Sequence, residues 1–290
     1  SETVLKRIAS KWYEPRQADS HKGRYGHVIT VAGSTLYSGA GLLCSQSAMR
    51  MGAGYVTWML PEKLFAPMCG HAPELILSPI ADQGTGTWQH VPPALVAEQA
   101  SDKQCTLIGC GLGRFAQDTT WLIELLKNIS NPLVLDADAL NILADSDLLA
   151  TGRLPAHKAD IVITPHPGEM ARLMRTSVQT VQANRVENAR RFAQQHGVYV
   201  VLKGASTVVA SPDGTAYINE SGNPNMAVAG MGDVLAGMIA GVWAQNFPPL
   251  QACLIAVYYH GAWCDQIVAN TNKPYALTAS DLINKMSPIN

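Results

Sequence analysis

Charge is scarce in this sequence. Only 15% of its 290 residues are charged, and the signs nearly cancel, with 21 basic against 22 acidic side chains and a net charge of −1. A nucleic-acid groove or a basic membrane surface needs an excess of one sign, so neither organises this chain. The densest basic spots, His21-Lys22-Gly23-Arg24 and Arg190-Arg191, are small. Paired cysteine spacings are missing too. The cysteines at 44, 69, 105, 110, 253 and 264 form no Cys-x-x-Cys and no zinc-finger spacing with histidine. In a chain this long they are expected as reduced, mostly buried thiols, which points to the cytoplasm. No apolar run reaches a membrane span; the longest candidate, 254–268, is interrupted by His260 and Asp265. A charged-then-apolar leader, a Pro/Gly/Ser linker, repeats and low-complexity tracts are likewise absent. The expectation is one domain over 1–290.

Apolar residues are abundant, at 47%, enough to bury a large core. They fall in runs of four to six that alternate with helical patterns. Strands are expected at 27–32, 55–60, 106–109, 132–136, 161–164 and 198–202, with a hairpin of 207–210 and 216–218 around Pro212-Asp213-Gly214. Helices are expected at about 2–10, 40–51, 121–128, 139–143, 167–174 and 178–196, and throughout after 230. This alternation implies an α/β fold with a mostly parallel sheet covered on both faces. In such sheets ligands sit outside the carboxyl ends of the strands.

The segment Ala229-Gly-Met-Gly-Asp233-Val-Leu-Ala-Gly237 carries the most chemistry. It reads as a glycine turn opening a helix. Gly230 and Gly232 let backbone amides approach an anion, and the helix start adds the positive end of its dipole. A carboxylate among phosphate-binding amides suits a base that takes a proton from a hydroxyl attacking a phosphoryl group. The residues alone leave a second reading open, in which Asp233 is only an N-cap and the glycines serve close helix packing.

Other strand-end segments carry polar or glycine residues that a core does not need: Asp19-Ser-His-Lys-Gly23, Gly33-Ser…Tyr37-Ser-Gly-Ala40, Gly109-Cys-Gly-Leu-Gly113, Leu135-Asp-Ala-Asp-Ala-Leu-Asn141, Thr164-Pro-His-Pro-Gly-Glu169, Lys203-Gly204 and His260-Gly261…Asp265. Together with 230–233 they resemble the NAD(P)H-hydrate dehydratase family, whose fold is ribokinase-like, a three-layer αβα sandwich. In that family the second glycine loop usually reads Gly-Pro-Gly, whereas Cys110 stands here. The resemblance implies nucleotide-dependent repair of hydrated NADH and NADPH. Phosphorylation of the ring hydroxyl is followed by elimination of phosphate, with ADP going to AMP in bacterial members generally, or ATP to ADP. It also implies Mg²⁺ as cofactor and a homotetramer, for which the apolar stretch 250–269 would offer a surface. Any epimerase domain is expected to be a separate protein or to have been removed from this sequence.

By the same resemblance Asp233 is the base, and Gly230 and Gly232 form the anion hole for the transferred phosphoryl. Ala40, Gly113 and His166 contact the dinucleotide substrate. Lys203, Gly204, Ala205, Ser206, Thr207 and Gly232 line the nucleotide, and Glu169 organises the metal through water. Read alone, Lys203 equally suits a solvated strand end and Glu169 a first-turn helix carboxylate. Ala40 and Gly113 equally suit tight packing. Asp136 and Asp138 sit at a strand end, where one suits a contribution to Mg²⁺ and the other, with Asn141, the cap of the following helix. Tyr258, Tyr259 and Trp263 read as core or interface, and His21-Lys22 has no chemical role. The loop 109–113 is not a dinucleotide-fold fingerprint, since the third glycine and an acidic ribose partner are missing. The alternatives are a vitamin-precursor kinase of the same fold and a nucleotide-binding protein without chemistry.

Overall fold

The structure is a computed structural model, and it describes residues 2–13, 15–151, 154 and 159–286. Nine strands form one sheet: β1 (His27–Val31), β2 (Tyr55–Pro61), β3 (Ile76–Ile80), β4 (Cys105–Ile108), β5 (Leu133–Leu135), β6 (Ile161–Ile163), β7 (Tyr199–Leu202), β8 (Val208–Ala210) and β9 (Ala216–Ile218). Their order is β3-β2-β1-β4-β5-β6-β7-β8-β9. Pairing is parallel from β3 to β7 and antiparallel for β8 and β9. The chain moves outward from β1 to β3 and then crosses back to lay β4 on the other side of β1. Strand order therefore reverses between β1 and β4, and the loops leaving these two strands part there to open a crevice.

Helices cover both faces. Along each strand the side chains alternate, as a period of two requires. Val28, Val56, Trp58, Leu107, Val134, Val162 and Val201 face one core with α1 (Glu2–Ser10), α2 (Ser38–Arg50), α10 (Met231–Trp243), α11 (Pro249–Ala269) and α12 (Ala279–Lys285). Ile29, Val31, Met59, Ile108, Leu133, Leu135, Ile163, Val200 and Leu202 face the other. The latter packs α4 (Pro93–Ala100), α5 (Asp118–Asn128), α6 (Asp138–Asp145), α7 (Pro167–Leu173), α8 (Val178–Ala183) and α9 (Arg185–His196). The remaining helix, α3 (Phe65–Met68), is a single turn between β2 and β3.

Several details differ from the sequence pattern. The strand β3 and the helix α4 carry no clear signal. The first is an edge strand with half-exposed residues and Pro79 inside it, which an edge tolerates because one side of the ladder needs no donor. The expected helix over 178–196 is two. The chain leaves helical geometry at Asn184, and the Asn188 amide donates to the carbonyls of Thr180 (3.0 Å) and Val181 (3.3 Å) that α8 leaves open. Tyr258, Tyr259 and Trp263 are core residues. The apolar run of α11 is buried within the chain against α1 and α10, so it explains itself without a second subunit. Close helix packing is the task of Gly237 and Gly241 and is shared by Gly230, where a Cβ would stand 2.7 Å from Leu43 Cδ1 of α2 and 3.0 Å from the Ala279 Cβ of α12, whereas Gly232 meets only the Lys203 side chain. A Cβ on Gly237 would stand 2.0 Å from the Cys44 carbonyl oxygen of α2. Among the described residues no helix is long and apolar enough to cross a membrane.

Candidate active site

Gly230, with φ at +88°, is the N-cap of α10 and turns the chain into the helix. Its carbonyl accepts from the Val234 amide at 3.0 Å. The N-cap is Gly230, and Asp233 is the third residue of the helix, in its first turn. The capping reading therefore falls. The helix start is held from behind by α11. His260 donates its Nε2–H to the Met231 carbonyl at 2.9 Å, and burial pushes its pKa down to about 4, so the ring stays neutral. Asp265, one turn on, accepts from the Gly222 amide and the Asn223 side chain, both at 2.8 Å. That fixes the loop that leads into Gly230.

The carboxyl ends of β4, β5, β6 and β7 meet this helix start. Asp136, 1% exposed, ends β5. Its Oδ1 accepts from the Thr164 hydroxyl at 2.7 Å and from the Lys203 ammonium at 3.0 Å. Its Oδ2 accepts from the Cys110 thiol at 3.4 Å. Lys203 is thus turned inward, not solvated. Its amine reaches Gly232, where a Cβ would lie 3.1 Å from Nζ. Burial opposes its charge, but Asp136 and Glu169 outweigh that and raise its pKa, so it stays an ammonium. Asp233 behaves in the opposite way. Burial first, and then the neighbouring Asp136, raise its carboxyl to about 7 despite Lys203. A carboxyl that titrates near neutrality at the end of a glycine turn is placed for proton transfer. Cys110 Sγ and oxygens of Asp136 and Asp233 lie within 4.8 Å of one another. A thiol and a lysine-paired carboxylate do not make a seat for a hard, oxygen-seeking Mg²⁺ ion.

The crevice side is built by the loops after β1 and β4. The Gly33 amide donates to the Cys110 carbonyl at 2.8 Å. Gly111 lies so close to α2 that a Cβ would stand 2.7 Å from the Ala40 Cβ. The Gly113 amide donates to Asp138 at 2.8 Å. Contacts thus run from Ala40 and Gly111 through the buried Cys110 and Asp136 to Lys203 and Gly232 at the start of α10.

The profile of the NAD(P)H-hydrate dehydratase family matches residues 28–288. The ADP-dependent (S)-NAD(P)H-hydrate dehydratase of Neisseria meningitidis is 38% identical, over 93% of this chain and 86% of its own length. The chain belongs to this family. The bifunctional NAD(P)H-hydrate repair enzyme Nnr of Moorella thermoacetica is also 38% identical, over 93% of this chain but 50% of its own length. Like it, several curated relatives are about twice as long as the segment they share with this chain. The ADP/ATP-dependent NAD(P)H-hydrate dehydratase of Bacillus subtilis, co-crystallised with ATP and Mg²⁺, superposes with a TM-score of 0.82 at 30% identity. That match covers 97% of this chain and 94% of the other. The ribokinase-like α/β architecture expected from the resemblance is the one observed.

In this dehydratase-family chain His166 is the N-cap of α7. Its Nδ1 accepts from the amides of Gly168 (2.9 Å) and Glu169 (3.2 Å), so Nε2 carries the proton and donates to Glu169 at 2.9 Å. The other Glu169 oxygen, Oε2, is buried with no hydrogen-bond partner. A buried carboxylate oxygen left open in this way fits the water shell of a divalent cation. The Lys203 amide donates to the Pro165 carbonyl at 2.9 Å and ties this segment to the loop after β7. In that loop Gly204, Ala205 and Ser206 are exposed, Ser206 has φ of +57°, and the Thr207 hydroxyl donates to the Gly204 carbonyl at 3.1 Å.

Three residues escaped the sequence reading. Thr164 and Cys110 complete the shell of Asp136, and Arg185 donates to the carbonyls of Leu202 (3.0 Å) and Lys203 (3.2 Å). Thr164 and Cys110 stand inside segments picked out by their glycines and prolines, but Arg185 had no such signal. Asn141 does not cap α6. Its side chain accepts from Arg172 at 2.6 Å, and Asp138 is tied to Gly113 instead. The segment around His21-Lys22 sits at the far end of the sheet. The Lys22 carbonyl abuts Gly54, at the entry to β2, and its ammonium lies 4.8 Å from the Tyr55 ring centre.

Proposed function

We propose that this chain is a single catalytic domain that dehydrates the S-epimer of hydrated NADH or NADPH with an adenine nucleotide. The observation that carries it is Asp233, in the first turn of α10 beside Lys203 and raised to about 7. Asp233 takes the proton of the ring hydroxyl as its oxygen bonds to the terminal phosphorus of the nucleotide. The bond to the bridging oxygen breaks, releasing AMP from ADP or ADP from ATP. The ring nitrogen then expels phosphate, the adjacent carbon gives up a proton, and the ring double bond returns. The amides at Gly230 and Gly232 receive the charge of the transferred group. Lys203 adds a fixed positive charge beside them. The loop of Lys203, Gly204, Ala205, Ser206 and Thr207 takes the nucleotide, and Ala40, Gly113 and His166 border the dinucleotide. ADP is favoured as donor by the name of the Neisseria relative.

Glu169 would hold Mg²⁺ through water, with Oε2 as the open oxygen. The ion would neutralise charge on the phosphates. A cytoplasmic site of action accords with the free thiols found among the described residues. A homotetramer is supported by the resemblance, with a surface other than the buried run of α11.

The test is recovery of dihydronicotinamide absorbance from hydrated NADH with Mg²⁺ and either ADP or ATP. Wild type should recover it with one nucleotide, and Asp233→Asn should not while still binding nucleotide. Absence of recovery in a nucleotide-binding wild-type protein would overturn the reading and favour a vitamin-precursor kinase.

A further inference from the structure

Asp136 and Asp233 are two carboxylates in one buried cluster, and two close carboxylates resist ionising together. The first is neutralised on one side only. Thr164 and Lys203 both take Oδ1, which leaves Oδ2 facing the cluster with the Cys110 thiol as its hydrogen-bond donor. Cys110 is fully buried in the loop after β4, between Gly109 and Gly111, so the loop brings its sulfur to this spot and nowhere else. A thiol there has one proton to give. Given to Asp136 or to Asp233, it draws negative charge out of the space between them. A thiolate would do the reverse, and the surroundings forbid one. The neighbouring Cys44 sulfur first, then burial and the two aspartates, hold the Cys110 thiol well above its ordinary value.

We propose that Cys110 is a positioning residue of the reaction: its S–H, bonded to Asp136 and within 4.8 Å of Asp233, shields the Asp233 carboxylate from the Asp136 charge. The inference rests on Asp233 acting as the base. The groups facing this carboxyl are few. Asp136 and Asp138 come from the end of β5 and the start of α6, Lys203 from the end of β7, and Cys110 from the loop after β4. Behind these, Cys44 of α2 touches the thiol, Glu169 of α7 acts on Lys203, and His260 of α11 is neutral on the Met231 carbonyl. Of the four groups facing the carboxyl directly, the thiol is the one that changes by substitution without altering any charge.

The experiment is the pH profile of kcat/KM for Cys110→Ala and Cys110→Ser beside wild type. Losing the donor should move the acid limb of Cys110→Ala upward by about half a pH unit, a roughly threefold loss below the midpoint and little loss well above it. Cys110→Ser keeps a donor and should return the limb toward wild type. If Cys110→Ala does not fold, Cys110→Val, about one methyl group larger and without a donor, takes its place. Coincident limbs for all variants would overturn the proposal. So would an equal loss in Ala and Ser variants at every pH, which is the mark of packing alone. Asp233→Asn separates the two levels. If it retains turnover, the base reading itself fails. If it is inactive while the Cys110 limbs coincide, only this inference falls.

Discussion

Replacing the proposed base with its neutral isostere should make the protein more stable, and only above a certain pH. Asp233 has a carboxyl lifted from 3.8 to about 7, chiefly by burial and then by Asp136. A difference of this size corresponds to roughly 4 kcal/mol. Partial exposure of the residue screens it, so about 2 kcal/mol is the working figure. The sign follows from proton counts. Below 3.8 the group is protonated in both folded and unfolded chains and costs nothing. Between 3.8 and about 7 the folded chain holds a proton that the unfolded chain has released, so stability falls as pH rises. Above about 7 the full cost of ionising a buried carboxyl is present. Asp233→Asn removes that cost. Its melting temperature should exceed that of wild type by about 4–6 °C at pH 8 and match it near pH 4. Thermal unfolding of both proteins, without nucleotide, measures this. An Asn variant that melts lower at pH 8, or that differs equally at both pH values, would refute the account of Asp233.

Three further outcomes follow from the same geometry. Lys203→Met strands the buried Asp136 and should cost about 3–5 kcal/mol, read as a lower denaturant midpoint at unchanged slope. The double variant Lys203→Met/Asp136→Asn should recover most of it, and additive losses would argue against the pair. Gly109→Ala should yield no folded protein, because its Cβ would stand 1.8 Å from the Asp136 carbonyl oxygen. Gly70→Ala, equally left-handed but with open space around it, should fold and lose only about 1 kcal/mol, as circular dichroism would register. Glu169→Gln keeps the shape and removes the charge, so it should fold normally and need at least tenfold more Mg²⁺ for half-maximal turnover. An unchanged Mg²⁺ requirement would remove Glu169 from the metal shell.

The hydrophobic period alone was enough to predict a parallel sheet, because buried strands are short apolar runs and the helices between them carry one apolar stripe. It failed at β3, whose edge position relaxes the pattern, and at Asn184, where a side-chain amide about one turn beyond the break, on Asn188, replaces the missing helical bonds. The glycine turn before Asp233 was equally legible, since a left-handed residue at a helix start is a local matter. Whether Asp233 was a cap was not, because a cap and a third residue of the helix differ only in where the side chain finds its partner.

By itself, then, the sequence determined the sheet, the strand-end loops and the residue types that would carry the chemistry. These depend on periodicity and on backbone freedom at single glycines. Only the tertiary structure decided how those residues are charged. It turned Lys203 inward onto Asp136, clustered Cys110 with Asp136 and Asp233, locked His166 in one tautomer against Glu169 and raised Asp233 toward neutrality. Proton affinity depends on burial and on charges a few ångströms away, and in this chain those charges come from residues as distant in sequence as Asp136 and Asp233. No local pattern in a chain records such distances.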